Sequence, residues 1–171
     1  MENSLLKWIN TFDVASEIGS LVQLGDGVVL YRILHQIAPD SFEIGSVIED
    51  VSDNLILKTK NVKKLLKAIE TYYQTVLIRD CREVSNIDAA SVASGNSESI
   101  TSVLQLVLGC AVQCDGKEKY IQKMLSLDVD AKTDLMVLPR RILEACKAEQ
   151  QSAAAAGGGG GGGVEGGGGS D

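Results

Sequence analysis

The chain has 171 residues, 44% of them hydrophobic, which is enough for one well-buried core. Its 23 Asp and Glu outnumber 16 Lys and Arg for a formal net charge of −7, so binding nucleic acid or an anionic membrane would require a local basic patch. MENSLLKWINTF has no basic stretch ahead of its apolar positions, and no run reaches about 18 apolar residues, which argues against a secretory leader and against membrane insertion.

From Ser4, a candidate cap, Leu5, Leu6, Trp8, Ile9 and Phe12 recur at helical spacing and predict a first helix anchored by Trp8. Gly25-Asp26-Gly27 interrupts the chain as a tight turn, and a second helix spans about 26–37, with Val28, Val29, Leu30, Ile33, Leu34 and Ile37 apolar until Pro39 stops it. Residues 38–53 read as a loop pinned to the core by Phe42, Ile44, Val47 and Ile48, with Asp53 placed to cap the next helix. That third helix, about 54–77, has its apolar face at Leu55, Val62, Leu65, Leu66, Ile69, Tyr73 and Val76. Residues 79–96 are weakly patterned, with a short helix around Ile87 to Val92. A helix beginning at Ser97 is apolar on most of its circumference and belongs at the centre; Gly109 inside it costs about 1 kcal/mol relative to Ala, tolerable where the missing side chain lets another helix approach.

After Asp115-Gly116, Tyr120, Ile121, Met124, Leu125 and Leu127 form an amphipathic helix, succeeded from about 130 by Leu135, Met136, Leu138, Ile142 and Leu143, either as a second helix or as one bent helix. Pro139 predicts a kink or break, since a proline inside a helix costs about 3 kcal/mol. No period-two alternation longer than about four residues occurs, so the expected fold is all-α, with one domain over residues 1–148 and a flexible Ala- and Gly-rich tail over 149–171. No heptad repeat is present.

Catalytic and metal chemistry find little purchase. Cys110 and Cys114 share a face at i, i+4 as two zinc ligands would, but their neighbours Leu106, Val107 and Ala111 mark that helix as core. Cys81 and Cys146 complete a sparse set that fits a reducing, cytoplasmic setting. His35, the only histidine, stands far in sequence from any cysteine and more naturally interacts with carbonyls near its helix end. Asp128 with Asp130, and Glu49, Asp50 and Asp53, match no calcium loop or paired-acid motif, and Gly25 and Gly27 are not followed by the Lys-Ser/Thr of a phosphate cradle. No cofactor, metal or catalytic site is expected. One basic cluster stands out: Lys58, Lys60, Lys63, Lys64 and Lys67 lie within ten residues of an otherwise acidic chain, either as a solvent-facing helix side or as a face for an acidic filament such as a microtubule or actin.

Four segments align with one family: SLLKWINTF; Leu24 with Gly27 to Pro39; NLILKTKNVKKLLKAIETYY; and LQLVLGCAVQCDGKEKYIQKM, the last being the most distinctive. Over about residues 4–138 the chain resembles the N-terminal Hook domain of Hook and girdin-type cargo adaptors, a divergent calponin-homology fold with extra C-terminal helices. The resemblance implies a non-enzymatic, cytoplasmic, cytoskeleton- and centrosome-associated module whose C-terminal helices form a groove for a helix of the dynein light intermediate chain. The groove positions it implies are Tyr120, Ile121, Gln122, Met124 and Leu125, extended by Leu135 and Met136.

Overall fold

The structure, a computed structural model, describes the backbone of residues 1–156 and the side chains through Ile142 together with Glu144. All regular elements among these residues are helical: α1 (Glu2–Ile9), α2 (Val28–Ile37), α3 (Leu55–Thr75), α4 (Ala89–Ala93), α5 (Ser97–Ala111), α6 (Lys117–Leu125) and α7 (Val129–Ala156), with single 3-10 turns at Leu21–Leu24 and Arg82–Asn86. The tail expected over 149–171 falls outside the described residues from 157 onward, as do the side chains of Leu143 and Cys146.

α5 is the central element, as its nearly all-round apolar surface requires. It touches every other α-helix and the first 3-10 turn, and its residues from Val103 to Ala111 are mostly fully buried. Gly109 explains how α3 and α7 come so close to it. A Cβ there would collide with the Tyr73 hydroxyl of α3 and would meet Ile142 Cδ1 of α7 at 3.3 Å. The Tyr73 hydroxyl donates to the Leu106 carbonyl at 3.0 Å, so the glycine site is filled by a buried, hydrogen-bonded phenol.

The starts of α1 to α4 depart from the sequence expectations by one to three residues. Ser4 does not cap α1. It lies inside the helix, 5% exposed, and donates to Asp134 Oδ2 of α7 at 2.7 Å. The cap of α3 is Asn54 rather than Asp53, accepting from the Leu57 amide at 3.1 Å, whereas α5 begins at Ser97 as expected, capped by Asn96, which accepts from the Ser99 amide at 2.9 Å. Asp88 caps α4 in the same manner.

The 38–53 segment is held in place differently from the expected apolar pins. Phe42 and Val51 are buried, yet Ile44 is 78% exposed and Ile48 39%. The main anchor is Asn61 of α3, 1% exposed. Its Oδ1 accepts from the Ile48 amide at 2.8 Å, and its Nδ2 donates to the Ile48 carbonyl at 2.7 Å and to the Asp26 carbonyl at 3.2 Å. One amide thus ties the loop, the Gly25–Gly27 turn and α3 together. His35 adds a second tie, its Nδ1–H donating to the Phe42 carbonyl at 2.7 Å.

Helices α6 and α7 are separate, joined through 126–128, where Asp128 Oδ1 accepts from the Ala131 amide at 3.0 Å and starts α7. Pro139 does not break α7, which runs continuously from Val129 to Ala156. Burial of Ala131, Leu135, Leu138 and Ile142, at i, i+4, i+7 and i+11, supplies the offsetting stabilisation. Full burial of a Leu or Ile contributes about 1.5–3 kcal/mol, so this stripe outweighs one lost hydrogen bond.

Candidate partner-binding surface

The sequence contains two apolar ridges on α6, and the structure selects one for the core. Tyr120 and Met124, four apart, are each 3% exposed. The Tyr120 ring stacks on Phe12 at 5.6 Å, and its hydroxyl donates to the Gln36 carbonyl at 3.0 Å. Lys123 Nζ donates to the Thr11 carbonyl at 2.7 Å while lying over the Phe12 ring. These contacts turn the other ridge outward. Leu125 is 39% exposed, Ile121 is half-buried and Gln122 is exposed.

The same division holds on α7. Leu135 is fully buried, whereas Met136 is 58% exposed. Val129, Met136 and Val137, at i, i+7 and i+8, form an outward apolar stripe opposite the buried one. Of the seven groove positions, Tyr120, Met124 and Leu135 therefore support the helices from inside, and Ile121, Gln122, Leu125 and Met136 reach the surface. A charge at Met124 would test folding rather than partner contact.

Two ionic staples hold α7 to α1. Lys7 Nζ lies 2.6 Å from Asp128 Oδ2. Ser4 donates to Asp134, which also lies 3.4 Å from the Met1 ammonium. The bond from Lys7 keeps the Asp128 carboxyl below its ordinary range, and the bond from Ser4, aided by the ammonium, does the same for Asp134.

The five lysines of α3 do not share one face. Lys60, Lys63, Lys64 and Lys67 are exposed on the side away from the core. Lys58 stands four and seven residues before Val62 and Leu65, both fully buried, and so points to the opposite side at the helix start. Lys64 donates to the Ser46 carbonyl at 2.9 Å, and Lys67 pairs with Glu70 at 3.1 Å.

The cysteines are core groups. Cys110 is fully buried, Cys114 and Cys81 are 5% exposed, and desolvation pushes the Cys110 and Cys114 thiols up, away from the reactive thiolate. Among the described residues no cluster of His, Cys, Asp and Glu is set to hold a metal ion, and no helix is long and apolar enough to cross a membrane.

A family model described as the HOOK domain matches residues 1–138. The chain belongs to the HOOK-domain family. It is 33% identical over 147 residues to a protein hook homolog of Dictyostelium discoideum, covering 85% of this chain and 20% of that one. With Protein Hook homolog 1 of Homo sapiens the identity is 32% over 145 residues, 82% of this chain and 20% of the relative. The chain thus spans about a fifth of the length of these relatives. The solution structure of the conserved domain of mouse HOOK1 superposes with a TM-score of 0.79 at 30% identity, covering 84% of this chain and 90% of that one. Within this HOOK domain, sequence reasoning missed Asn61, although it sits four and eight residues before the core positions Leu65 and Ile69. A polar residue on an apolar stripe signals a buried hydrogen-bonding role. It also missed Val129 and Val137, which extend the exposed surface of α7.

Proposed function

We propose that this HOOK domain is a non-enzymatic adaptor module that binds a helix of the dynein light intermediate chain at α6 and α7, linking the motor to cargo for microtubule-based transport in the cytoplasm. The observation that carries the reading is the outward apolar set Leu125, Val129, Met136 and Val137, between 39% and 71% exposed, with Gln122 exposed nearby. A row of apolar side chains with a few polar groups to fix register is what an amphipathic helix requires of its receptor. The firm seating of α6 by Tyr120 and Lys123 supports the reading further, because a pre-organised receptor loses little entropy on binding. Isothermal titration with a synthetic light-intermediate-chain helix tests it. Leu125→Asp and Met136→Asp change exposed positions and are expected to abolish binding in a folded domain; undiminished affinity in both refutes the site.

A second reading, direct binding to a microtubule or actin filament, is favoured by the shared exposed face of Lys60, Lys63, Lys64 and Lys67. Attraction between exposed charges weakens over a Debye length of about 8 Å at physiological salt, so cosedimentation through this face is expected to collapse between low and physiological ionic strength. Groove binding is expected to change little. Centrosome association would result from either mode of attachment.

A further inference from the structure

Four exposed lysines share a face of α3, Lys67 among them already paired with Glu70, and two serines lie beside that face. Ser85 sits in the 3-10 turn Arg82–Asn86, exposed, and borders a cleft of about 350 Å³ that Lys63 and Lys67 also line. Ser46 lies half-buried in the irregular segment on the other flank, bordering a cleft of about 430 Å³ lined by Lys64 and Lys67. Its carbonyl already accepts from Lys64 Nζ.

These two serines share a sequence property. Of all the serines and threonines in the chain, only Ser46 and Ser85 carry a carboxylate three residues on, Glu49 and Asp88 respectively. Both carboxylates are exposed. A kinase with a basic substrate pocket reads a serine through an acid at that position. The lysine field reaches this corner: the Lys63 charge contributes to holding the Asp88 carboxyl low, after the larger contribution of its hydrogen bonds from Ser91.

We propose that Ser46 and Ser85 are phosphorylation sites for an acid-directed serine kinase, and that their phosphates neutralise the α3 lysine face from both sides. In each transfer the serine Oγ attacks the γ-phosphorus of ATP. The Oγ–P bond forms, the bond to the bridging oxygen breaks, ADP leaves and the hydroxyl proton passes to the kinase's base. Each phosphate carries about −1.5 to −2 at neutral pH, so two supply roughly −3 to −4 beside Lys63, Lys64 and Lys67, the three lysines that line the two clefts. Charge pairing is the expected outcome because two lysines line the cleft of each serine, Lys67 being common to both, and a phosphate has three acceptor oxygens.

The local balance also contains acids. Glu70 and Asp88 line the Ser85 cleft with Lys63 and Lys67. Near Ser46 stand Glu43, whose carbonyl accepts from the Ser46 amide, and Glu49, whose carboxylate is held 3.0 Å from Arg32. The decisive comparison is therefore between the phosphoprotein with and without its lysines, where the acids are constant.

The experiment treats the full chain with casein kinase 2 and MgATP, maps the products by mass spectrometry and monitors the phosphoserines by ³¹P titration. Phosphate is expected on Ser46 and Ser85, with incorporation reduced about tenfold by Glu49→Gln at the first and Asp88→Asn at the second; asparagine preserves the α4 cap. The second phosphate ionisation, ordinarily near about 6, is expected to rise in Lys63→Ala/Lys67→Ala for Ser85 and in Lys64→Ala/Lys67→Ala for Ser46. Failure to modify either serine in the folded chain, while peptides spanning 43–52 and 82–91 are modified, overturns the proposal. So does a ³¹P titration unmoved by loss of the lysines. Neither measurement involves a filament, so the proposal can fail without the filament reading failing, and the reverse.

Discussion

Gly109→Ala is the most informative single change in the core, because two opposing effects act at one atom. In isolation the substitution favours α5 by about 1 kcal/mol, the helix-propensity difference between glycine and alanine. In this fold the new methyl group would meet the Tyr73 hydroxyl and lie 3.3–3.4 Å from two carbons of Ile142. Tyr73 is fully buried, so its hydroxyl has no water to turn to if displaced from the Leu106 carbonyl. Breaking that buried bond costs about 1–3 kcal/mol, and overpacking of the α3–α5–α7 contact adds about 1–3 kcal/mol. After the propensity gain is subtracted, the expected net loss is about 1–5 kcal/mol, read as a lower urea midpoint at unchanged slope. Tyr73→Phe removes the obstructing oxygen at a cost of about 1 kcal/mol. The double variant is then expected to be more stable than the sum of the singles by about 1 kcal/mol or more. A Gly109→Ala protein as stable as the parent, or a strictly additive cycle, would refute the close approach as the reason for the glycine.

Other parts of the fold carry three further expected outcomes. Asn61→Ala removes three hydrogen bonds that fix the 38–53 segment and is expected to cost about 2–4 kcal/mol, with faster amide exchange at Ile48 as the local sign. Ile78 occupies the left-handed position after α3 at φ 53°, while the Arg79 amide closes back onto the Tyr73 carbonyl at 2.8 Å. Glycine is the usual residue there, so Ile78→Gly is expected to raise stability by about 1 kcal/mol in thermal unfolding. Because the carboxyls of Asp128 and Asp134 are depressed in the folded state, their contribution is present above the unfolded carboxylate value of about 4 and is lost as pH falls through the lower folded values. Acid unfolding curves should therefore flatten in Asp128→Asn and Asp134→Asn; curves parallel to the parent would contradict the staples.

The helices legible in the sequence were those whose apolar residues recur at three and four, above all α5, whose continuous hydrophobicity placed it at the centre. The HOOK resemblance rested largely on that helix and its continuation into α6, and the family match confirms it. The cap of α3 is ambiguous in the sequence because two capable residues adjoin, Asp53 and Asn54, and composition cannot choose between neighbours. The Leu21–Leu24 turn was too short for a periodic signal. At Pro139 the cost of a proline is visible locally, whereas the burial of Leu135, Leu138 and Ile142 that offsets it depends on tertiary packing. For α6 the ambiguity was intrinsic: Tyr120 with Met124 and Ile121 with Leu125 have the same spacing. Phe12, Thr11 and the Gln36 carbonyl, all distant in sequence, determine which pair turns inward.

The central claim, that the outward residues of α6 and α7 receive a partner helix, is tested most directly by calorimetric titration of the domain with the light-intermediate-chain helix in low and physiological salt. The account predicts saturable binding that is nearly independent of salt, retained in Lys63→Glu/Lys64→Glu and lost in Leu125→Asp and Met136→Asp. Binding that vanishes with salt or with the lysine substitutions, while surviving both apolar-to-aspartate changes, would contradict it.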